Sequence, residues 1–290
     1  MSIKNFYQEN GYLVIHNLIK DLEIDRFLKI YNSEIVQNKK VKLNLMDKQT
    51  YAKGNYKNNY LQNPIADPHN IKYKNRKLIK FCNESLKIIL NNNIFKILKK
   101  IYGKSHYKLL MSMFFDQNRG TPAHQDCYYL DSLPIGNLTA AWIALEDIKE
   151  SAGRFYVIPQ SHKKLIHLSQ KEINTPSLYE KKIEHIIRNE RLKIVAPKLK
   201  KGSVLFWNSG TIHGSLKTKN EKYSRKSLTC HFIPADYDYL RNRYTNDIRK
   251  FKSFNYKKFI CKVKSKSNIK PKQYKIRNIS SFNKQEFKKN

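Results

Sequence analysis

Apolar residues along this chain recur first at the three- and four-residue steps of helices and later at the two-residue alternation of strands. Residues 6–19 pass through a turn at Gly11 into a short apolar alternation, which predicts an opening strand. From Asp21, a residue type suited to a helix N-cap, the positions Ile24, Phe27, Leu28, Tyr31 and Ile35 share one helical face. Residues 38–74 are polar and carry Gly54, Pro64 and Pro68, so an irregular excursion is expected there. Two successive helices follow, one marked by Leu78, Ile79, Cys82, Leu86, Ile89 and Leu90 and the next by Ile94, Phe95, Ile97, Leu98 and Ile101, with Gly103 as the terminating residue.

Beyond that point the period becomes that of strands, over 106–115, 138–145, 154–158, 193–197, 203–208 and 226–233. A series of this kind predicts a mainly β fold with flanking helices (α+β), its core a double-stranded β-helix of the jelly-roll, cupin-like type. One catalytic domain is expected over 1–240, interrupted at 163–190 by a charged insertion that reads as a lid or a connector. Residues 241–290 hold seventeen Lys or Arg against Asp247 and Glu286 alone, and are expected to form a basic, partly disordered tail.

Composition changes this picture little. No run approaches the roughly 20 apolar residues of a membrane span, and the N-terminus lacks the apolar stretch of a secretory signal, so a cytoplasmic location is expected. Cys82, Cys127, Cys230 and Cys261 are far apart and show neither disulfide-framework nor zinc-ligand spacing. The chain carries 57 Lys and Arg against 23 Asp and Glu, a formal charge of +34. Such a balance raises nucleic acid as a partner. The accompanying richness in Asn, Ile and Tyr, however, points to A- and T-rich codons, and nucleic acid is not the expected partner. A small-molecule substrate, an anionic one in particular, and a monomeric or homodimeric state are.

The chemistry is concentrated in two segments, Thr121-Pro122-Ala123-His124-Gln125-Asp126 and Gly210-Thr211-Ile212-His213-Gly214-Ser215, whose His213 lies 87 residues after Asp126. His124 and Asp126 stand two apart, so on an extended backbone both side chains point to one face. With His213 delivered from another strand they would form the two-histidine, one-carboxylate set that leaves coordination positions open on non-haem Fe(II). Arg225 follows His213 by twelve residues, the distance at which the next antiparallel strand can bring back a guanidinium to grip a carboxylate, with Ser227 on the same face. His162 and His231 have no carboxylate or histidine at ligand spacing and are expected to be structural, and Trp207 to fill the barrel. Cys127, Tyr128 and Tyr129, which follow the metal motif, are candidates for the substrate side, Cys127 as a buried inert thiol.

With these segments in order, the sequence resembles the phytanoyl-CoA dioxygenase family, which includes ectoine hydroxylase-like enzymes. The likeness runs from Asn10-Gly11-Tyr12 to about Asp236. It is carried by Pro122–Asp126, Leu138–Leu145, Gly153–His162, Gly202–Trp207, His213–Ser215 and Arg225–Phe232. The resemblance implies iron at His124, Asp126 and His213, which would be the catalytic set, with 2-oxoglutarate and O₂ as co-substrates. It also implies co-substrate contacts at Arg225, with Thr139, Trp142 and Ser227 nearby, and Gln117 is expected among the cofactor-binding residues. The implied outcome is hydroxylation of an unactivated C–H bond in a small or lipid-like metabolite, with release of succinate and CO₂. The presence of Asp126 argues against the related halogenases, which replace that carboxylate. Two departures stand out. Gln117 occupies the place of a Lys in the acyl-CoA hydroxylase for which the family is named, which counts against an acyl-CoA substrate, and Gln160 replaces the glycine of the usual Pro-Gly-Ser-His turn. Two other classes remain open from the residues alone. One is a silent β-barrel binding protein, separated from an enzyme by succinate formation. The other is a nucleic-acid binder acting through 241–290, marked by a steep salt dependence lost with that segment.

Overall fold

The computed structural model describes residues 1–46, 50–73, 75–164, 166–245 and 247–263. Helix α1 (Ile3–Asn10) is capped by the Ser2 hydroxyl, which accepts from the Asn5 amide, and ends at Gly11 with a left-handed φ of 74°. A side chain on Gly11 would collide with His162 Nδ1 at 2.3 Å and Thr211 Oγ1 at 2.5 Å, so the turn needs glycine for space as well as for conformation. Strand β1 (Tyr12–Ile15) follows. β1 is the opening strand expected after the Gly11 turn, and the residues before that turn form α1, because Ile3, Phe6 and Tyr7 share a helical face that packs on the core.

Helix α2 (Asp21–Tyr31) is capped at Lys20, one residue before the expected Asp21, whose carboxylate instead sits in the first turn where it favours the helix dipole. The excursion expected at 38–74 contains short strands β2 (Lys42–Leu45), β3 (Thr50–Lys53), β4 (Tyr56–Lys57), β5 (Tyr60–Leu61) and β6 (Ile65–Ala66). Helices α3 (Ile79–Ile89) and α4 (Asn92–Tyr102) match the periodic apolar positions, and Gly103 closes α4 in the left-handed conformation, φ 72°. Thereafter come β7 (Tyr107–Phe115), β8 (Asp131–Leu133), β9 (Thr139–Ala144), β10 (Phe155–Val157), α5 (Gln170–Asn174) and α6 (Pro176–Asn189). The chain continues through β11 (Val204–Asn208), β12 (His213–Ser215), β13 (Ser227–Pro234), β14 (Asp238–Leu240), β15 (Ile248–Arg249), β16 (Lys252–Tyr256) and β17 (Phe259–Val263). The strand expected at 193–197 reduces to a single bridge between Val195 and Val157.

The main sheet runs β1-β11-β9-β13-β7-β6-β2-β3, and β17 adds to β7 in parallel. Alternation assigns its two faces. Ala141, Ile143, Val204, Phe206, Leu228, Cys230 and Phe232 join the core under α1 to α4, where Phe114 meets Tyr31, Phe27 and Phe81 at ring distances of 4.5, 5.6 and 6.0 Å. Ala140, Trp142, Ala144, Leu205 and Trp207 point the other way, toward Phe155 and Val157 of a second, small sheet. That sheet pairs β10 with β12 and is extended by a bridge from His213 to His124. Two sheets closing on one interior make the double-stranded β-helix.

The basic C-terminal segment was expected to begin as a tail at 241, but folded structure continues to 263. Phe259 and Cys261 are buried beside Phe95, Tyr107 and Phe232, because the β16–β17 hairpin supplies the missing neighbour of β7. Residues 264–290, the rest of the expected tail, lie outside the described residues. Arg243 binds Asp131 through Nη2 at 2.6 Å and Nε at 2.7 Å, and its backbone amide donates to the Cys127 carbonyl at 3.0 Å. The Asp131 side chain is wholly buried, so removing its partner strands a charge. Arg243→Ala is expected to cost about 3–5 kcal/mol. Denaturant unfolding of the two proteins, with unchanged m-value, checks this, and a loss under about 1 kcal/mol would show that Asp131 is satisfied without the guanidinium.

Candidate active site

His124 arrives on an extended segment that hydrogen-bonds across to β12. Its amide donates to the His213 carbonyl at 3.0 Å and His213 returns the bond to His124 at 2.9 Å. Asp126 then opens a short 3-10 turn, Asp126–Tyr128. The result is that His124 Nε2 lies 3.6 Å and His213 Nε2 3.5 Å from Asp126 Oδ1, and the three ligand atoms fall within 4.8 Å of one another. Each imidazole is tied at Nδ1 to a backbone carbonyl two residues upstream, His124 to Pro122 at 2.8 Å and His213 to Thr211 at 2.9 Å. With the proton on Nδ1, both Nε2 lone pairs face the carboxylate, as metal-ligating histidines require.

Electrostatics favour an ionised Asp126 and a neutral His213, and draw a proton toward His124. Burial opposes ionisation of Asp126, yet the neighbouring imidazoles of His213, His231 and His124 hold its carboxyl well below the usual range. Burial, followed by the proximity of His124, pushes His213 down to about 3, so its imidazole is neutral and free to ligate. For His124, burial lowers the value but the adjacent Asp126 carboxylate outweighs it, and the net direction is up.

Arg225 precedes β13, and its amide donates to the Asp116 carbonyl at 2.9 Å. Asp116 also accepts from Tyr31 Oη and the Leu61 amide, each at 2.8 Å, and lies 3.3 Å from Lys226 Nζ, so it ties α2 and β5 to the segment carrying Arg225. The Arg225 guanidinium is only 2 % exposed and lies 5.7 Å from the ring of Trp142 and 6.0 Å from that of Phe115. Its Nη1 reaches the Gly153 carbonyl at 3.3 Å, its Nε has no partner, and no carboxylate pairs with it among the described residues. Burial pushes it down to about 10, still charged at neutral pH. A buried cation lacking a counter-charge is costly, and an anionic ligand would remove that cost. The hydroxyl of buried Ser227 likewise has no partner.

A comparison with protein-family models matches "Phytanoyl-CoA dioxygenase (PhyH)" over residues 7–227. The chain belongs to the phytanoyl-CoA dioxygenase family. It is therefore a 2-oxoglutarate-dependent dioxygenase that works with iron. Among curated relatives, the peroxisomal phytanoyl-CoA dioxygenase of Bos taurus is 28 % identical over 252 residues, covering 82 % of this chain and 69 % of that protein. The human enzyme of the same name is 28 % identical over 251 residues, with the same coverage. Among solved structures, the non-heme alpha ketoglutarate dependent carbocyclase SnoK from nogalamycin biosynthesis superposes with a TM-score of 0.55 at 17 % identity, over 84 % of this chain and 89 % of that one. HygX from Streptomyces hygroscopicus, solved with nickel, 2-oxoglutarate and hygromycin B, gives 0.52 at 13 % identity over 80 % and 86 %. These distant structures share the fold.

Within this family member, the other expected contacts divide. Trp142 and Ser227 face the interior with Arg225, whereas Thr139 does not. Its hydroxyl is on the helix side, bonded at 2.6 Å to both Tyr7 Oη and Tyr102 Oη, because residues three apart on a strand take opposite faces. Thr139 is thus a latch between α1, α4 and β9, a correction to the co-substrate contact expected of it. Gln117 is likewise engaged, donating to the carbonyls of Glu221 at 2.7 Å and Tyr223 at 3.2 Å and accepting from Gln62 at 2.8 Å, so it braces the loop before Arg225. Gln160 keeps the left-handed backbone of the glycine it replaces, φ 65°.

Two residues expected to be bystanders touch the carboxylate. Trp207 Nε1 donates to Asp126 Oδ2 at 2.8 Å, and His231 Nε2 stands 3.4 Å from the same oxygen. The alternation of Ser227, Thr229 and His231 with Leu228, Cys230 and Phe232 already placed His231 on the face of Ser227, a signal that ligand spacing alone overlooks. His162 Nε2 donates to the Gln8 carbonyl, 2.9 Å away, over Gly11. Burial pushes the Cys127 thiol up to about 12. The insertion at 163–190 packs onto the metal motif: Tyr179 of α6 stacks on Tyr128 at 3.8 Å, and its hydroxyl accepts from the Gln125 amide at 2.8 Å. Tyr129, 38 % exposed, stands edge-on to His124 at 5.6 Å and donates to Glu180 at 3.4 Å.

Proposed function

We propose that His124, Asp126 and His213 hold ferrous iron, that Arg225 and Ser227 receive the distal carboxylate of 2-oxoglutarate, and that the protein hydroxylates an unactivated C–H bond of a small or lipid-like metabolite. The observation that carries this reading is a two-histidine, one-carboxylate cluster inside the barrel together with a buried guanidinium that has no counter-charge among the described residues. The donor set suits the metal, since imidazole and carboxylate are ligands of non-haem iron and three side chains leave adjacent positions open. When bound, ferrous iron with 2-oxoglutarate and O₂ supplies the oxidation of the C–H bond, with succinate and CO₂ released.

The chain's own contributions are ligation, orientation and exclusion of water. The carbonyls of Pro122 and Thr211 fix the imidazole tautomers. Trp142 and Phe115 flank the Arg225 guanidinium with apolar rings, which strengthens its hold on a carboxylate by keeping water away. Tyr128, Tyr179 and Tyr129 wall the side toward α6, where substrate would pass Tyr129 and Glu180. Gln117 is spent on its loop, which supports a substrate other than an acyl-CoA. The basic surface favours an anionic one.

The test is succinate formation from 2-oxoglutarate by the purified protein under air. Succinate is expected to require added Fe(II) and to rise several-fold with one class in a panel of fatty acids, acyl-CoA esters, phosphorylated metabolites and zwitterions. Absence of any Fe(II)-dependent succinate, with every class present in turn, would overturn the reading.

A further inference from the structure

The two oxygens of Asp126 have unlike surroundings. Oδ1 faces the ligating nitrogens of His124 and His213 at 3.6 and 3.5 Å. Oδ2 is turned away from them, accepting the indole N–H of Trp207 at 2.8 Å and lying 3.4 Å from His231 Nε2. His231 is 1 % exposed and sits on β13 between Ala140 of β9 and Met111 of β7, which bring no charged group to it. Its other nitrogen, Nδ1, has no hydrogen-bond partner among the described residues. An imidazole with one empty nitrogen is an expensive filler for an interior that Leu or Met could pack. Its polarity has one evident target, the carboxylate oxygen.

We propose that His231 is a positioning residue of the metal centre: with Trp207 it holds Asp126 Oδ2 off the metal, so that the carboxylate ligates through Oδ1 alone. This rests on the ligand set proposed above. A carboxylate free to rotate can bind through both oxygens and occupy a position that the co-substrate or O₂ needs. Two N–H donors on Oδ2 prevent the rotation and polarise the ligand. The role requires the His231 proton to reside on Nε2, which accounts for the bare Nδ1.

The experiment is an anaerobic titration of the full chain with Co(II), followed by its visible absorption, for wild type and for His231→Gln, His231→Asn and His231→Leu. The Gln amide nitrogen replaces Nε2 and reaches Oδ2, whereas the Asn nitrogen replaces Nδ1 and does not. Gln is expected to hold Co(II) within about threefold of wild type with the same spectrum, while Asn and Leu weaken it by roughly 10- to 100-fold and alter the ligand-field bands. Melting of the metal-free proteins is read in parallel, and where Leu does not fold, the Gln and Asn pair decides. Wild-type affinity in Asn or Leu overturns the proposal, as does an equal loss in Gln and Asn, which would mark His231 as packing alone. A His213→Ala control that binds Co(II) as tightly as wild type would instead overturn the ligand set itself, and the proposal with it.

Discussion

The Asp126→Ala protein will carry no ferrous iron at concentrations that saturate wild type and will form no succinate above the metal-free background. On the ligand set proposed above, the expected loss of metal affinity exceeds the roughly 10- to 100-fold range seen when residues around a ligand are changed, because a ligand itself is removed. It removes the only carboxylate in the cluster, and it strips Trp207 Nε1 and His231 Nε2 of the oxygen they face. His213→Ala is expected to match it in metal loss while leaving those two donors satisfied, so the metal-free His213→Ala protein should melt higher than Asp126→Ala. Calorimetric titration with Fe(II) under nitrogen and thermal melts measure both quantities. Retained wild-type iron affinity in either variant would remove that residue from the ligand set.

Arg225→Leu is the second. On the proposed reading, 2-oxoglutarate has two attachments in wild type, the metal and the guanidinium. Loss of a buried, charge-assisted partner costs on the order of 2–5 kcal/mol. The KM for 2-oxoglutarate is therefore expected to rise by about 30-fold or more, with iron affinity unchanged. Arg225→Lys should fall between, since an ammonium keeps the charge but not the planar fork. The same substitution carries an opposite sign for stability. Arg225 is buried with an empty Nε and no counter-ion among the described residues, so Leu relieves a cost that the ligand-free protein bears. Without 2-oxoglutarate the Leu variant should melt at or above wild type, and the rise in melting temperature that 2-oxoglutarate gives wild type should disappear. A variant less stable without ligand and equally stabilised by 2-oxoglutarate would show that Arg225 serves the fold and not the co-substrate.

Much of this protein was legible residue by residue. The periods along the chain determined that helices α2 to α4 precede a run of strands, and Gly103 marked the end of α4, because side-chain direction within an element follows from its own backbone repeat. The two-residue spacing of His124 and Asp126 determined that they could share a face. The same repeat could have separated Thr139 from Trp142, which stand three apart on β9. Segments whose form depends on distant partners were not legible. The stretch at 193–197 has strand-like composition but finds only one bridging partner, and the strands at 252–263 look like charged coil until β7 offers an edge.

What only the tertiary structure decided is which distant groups share a space. Trp207 and His231 reach the outer oxygen of Asp126 from strands 81 and 105 residues further along, and Tyr179 stacks under the metal motif from an insertion that composition presents as a connector. Arg225 was expected to grip an acid from its position after His213. That it is buried with nothing among the described residues to neutralise it emerges once the barrel has closed around it. Local repeats act through a few neighbouring backbone bonds and are written in the order of residues. The surroundings of a buried charge are set by strand pairing and packing over the whole chain, and no short stretch contains them.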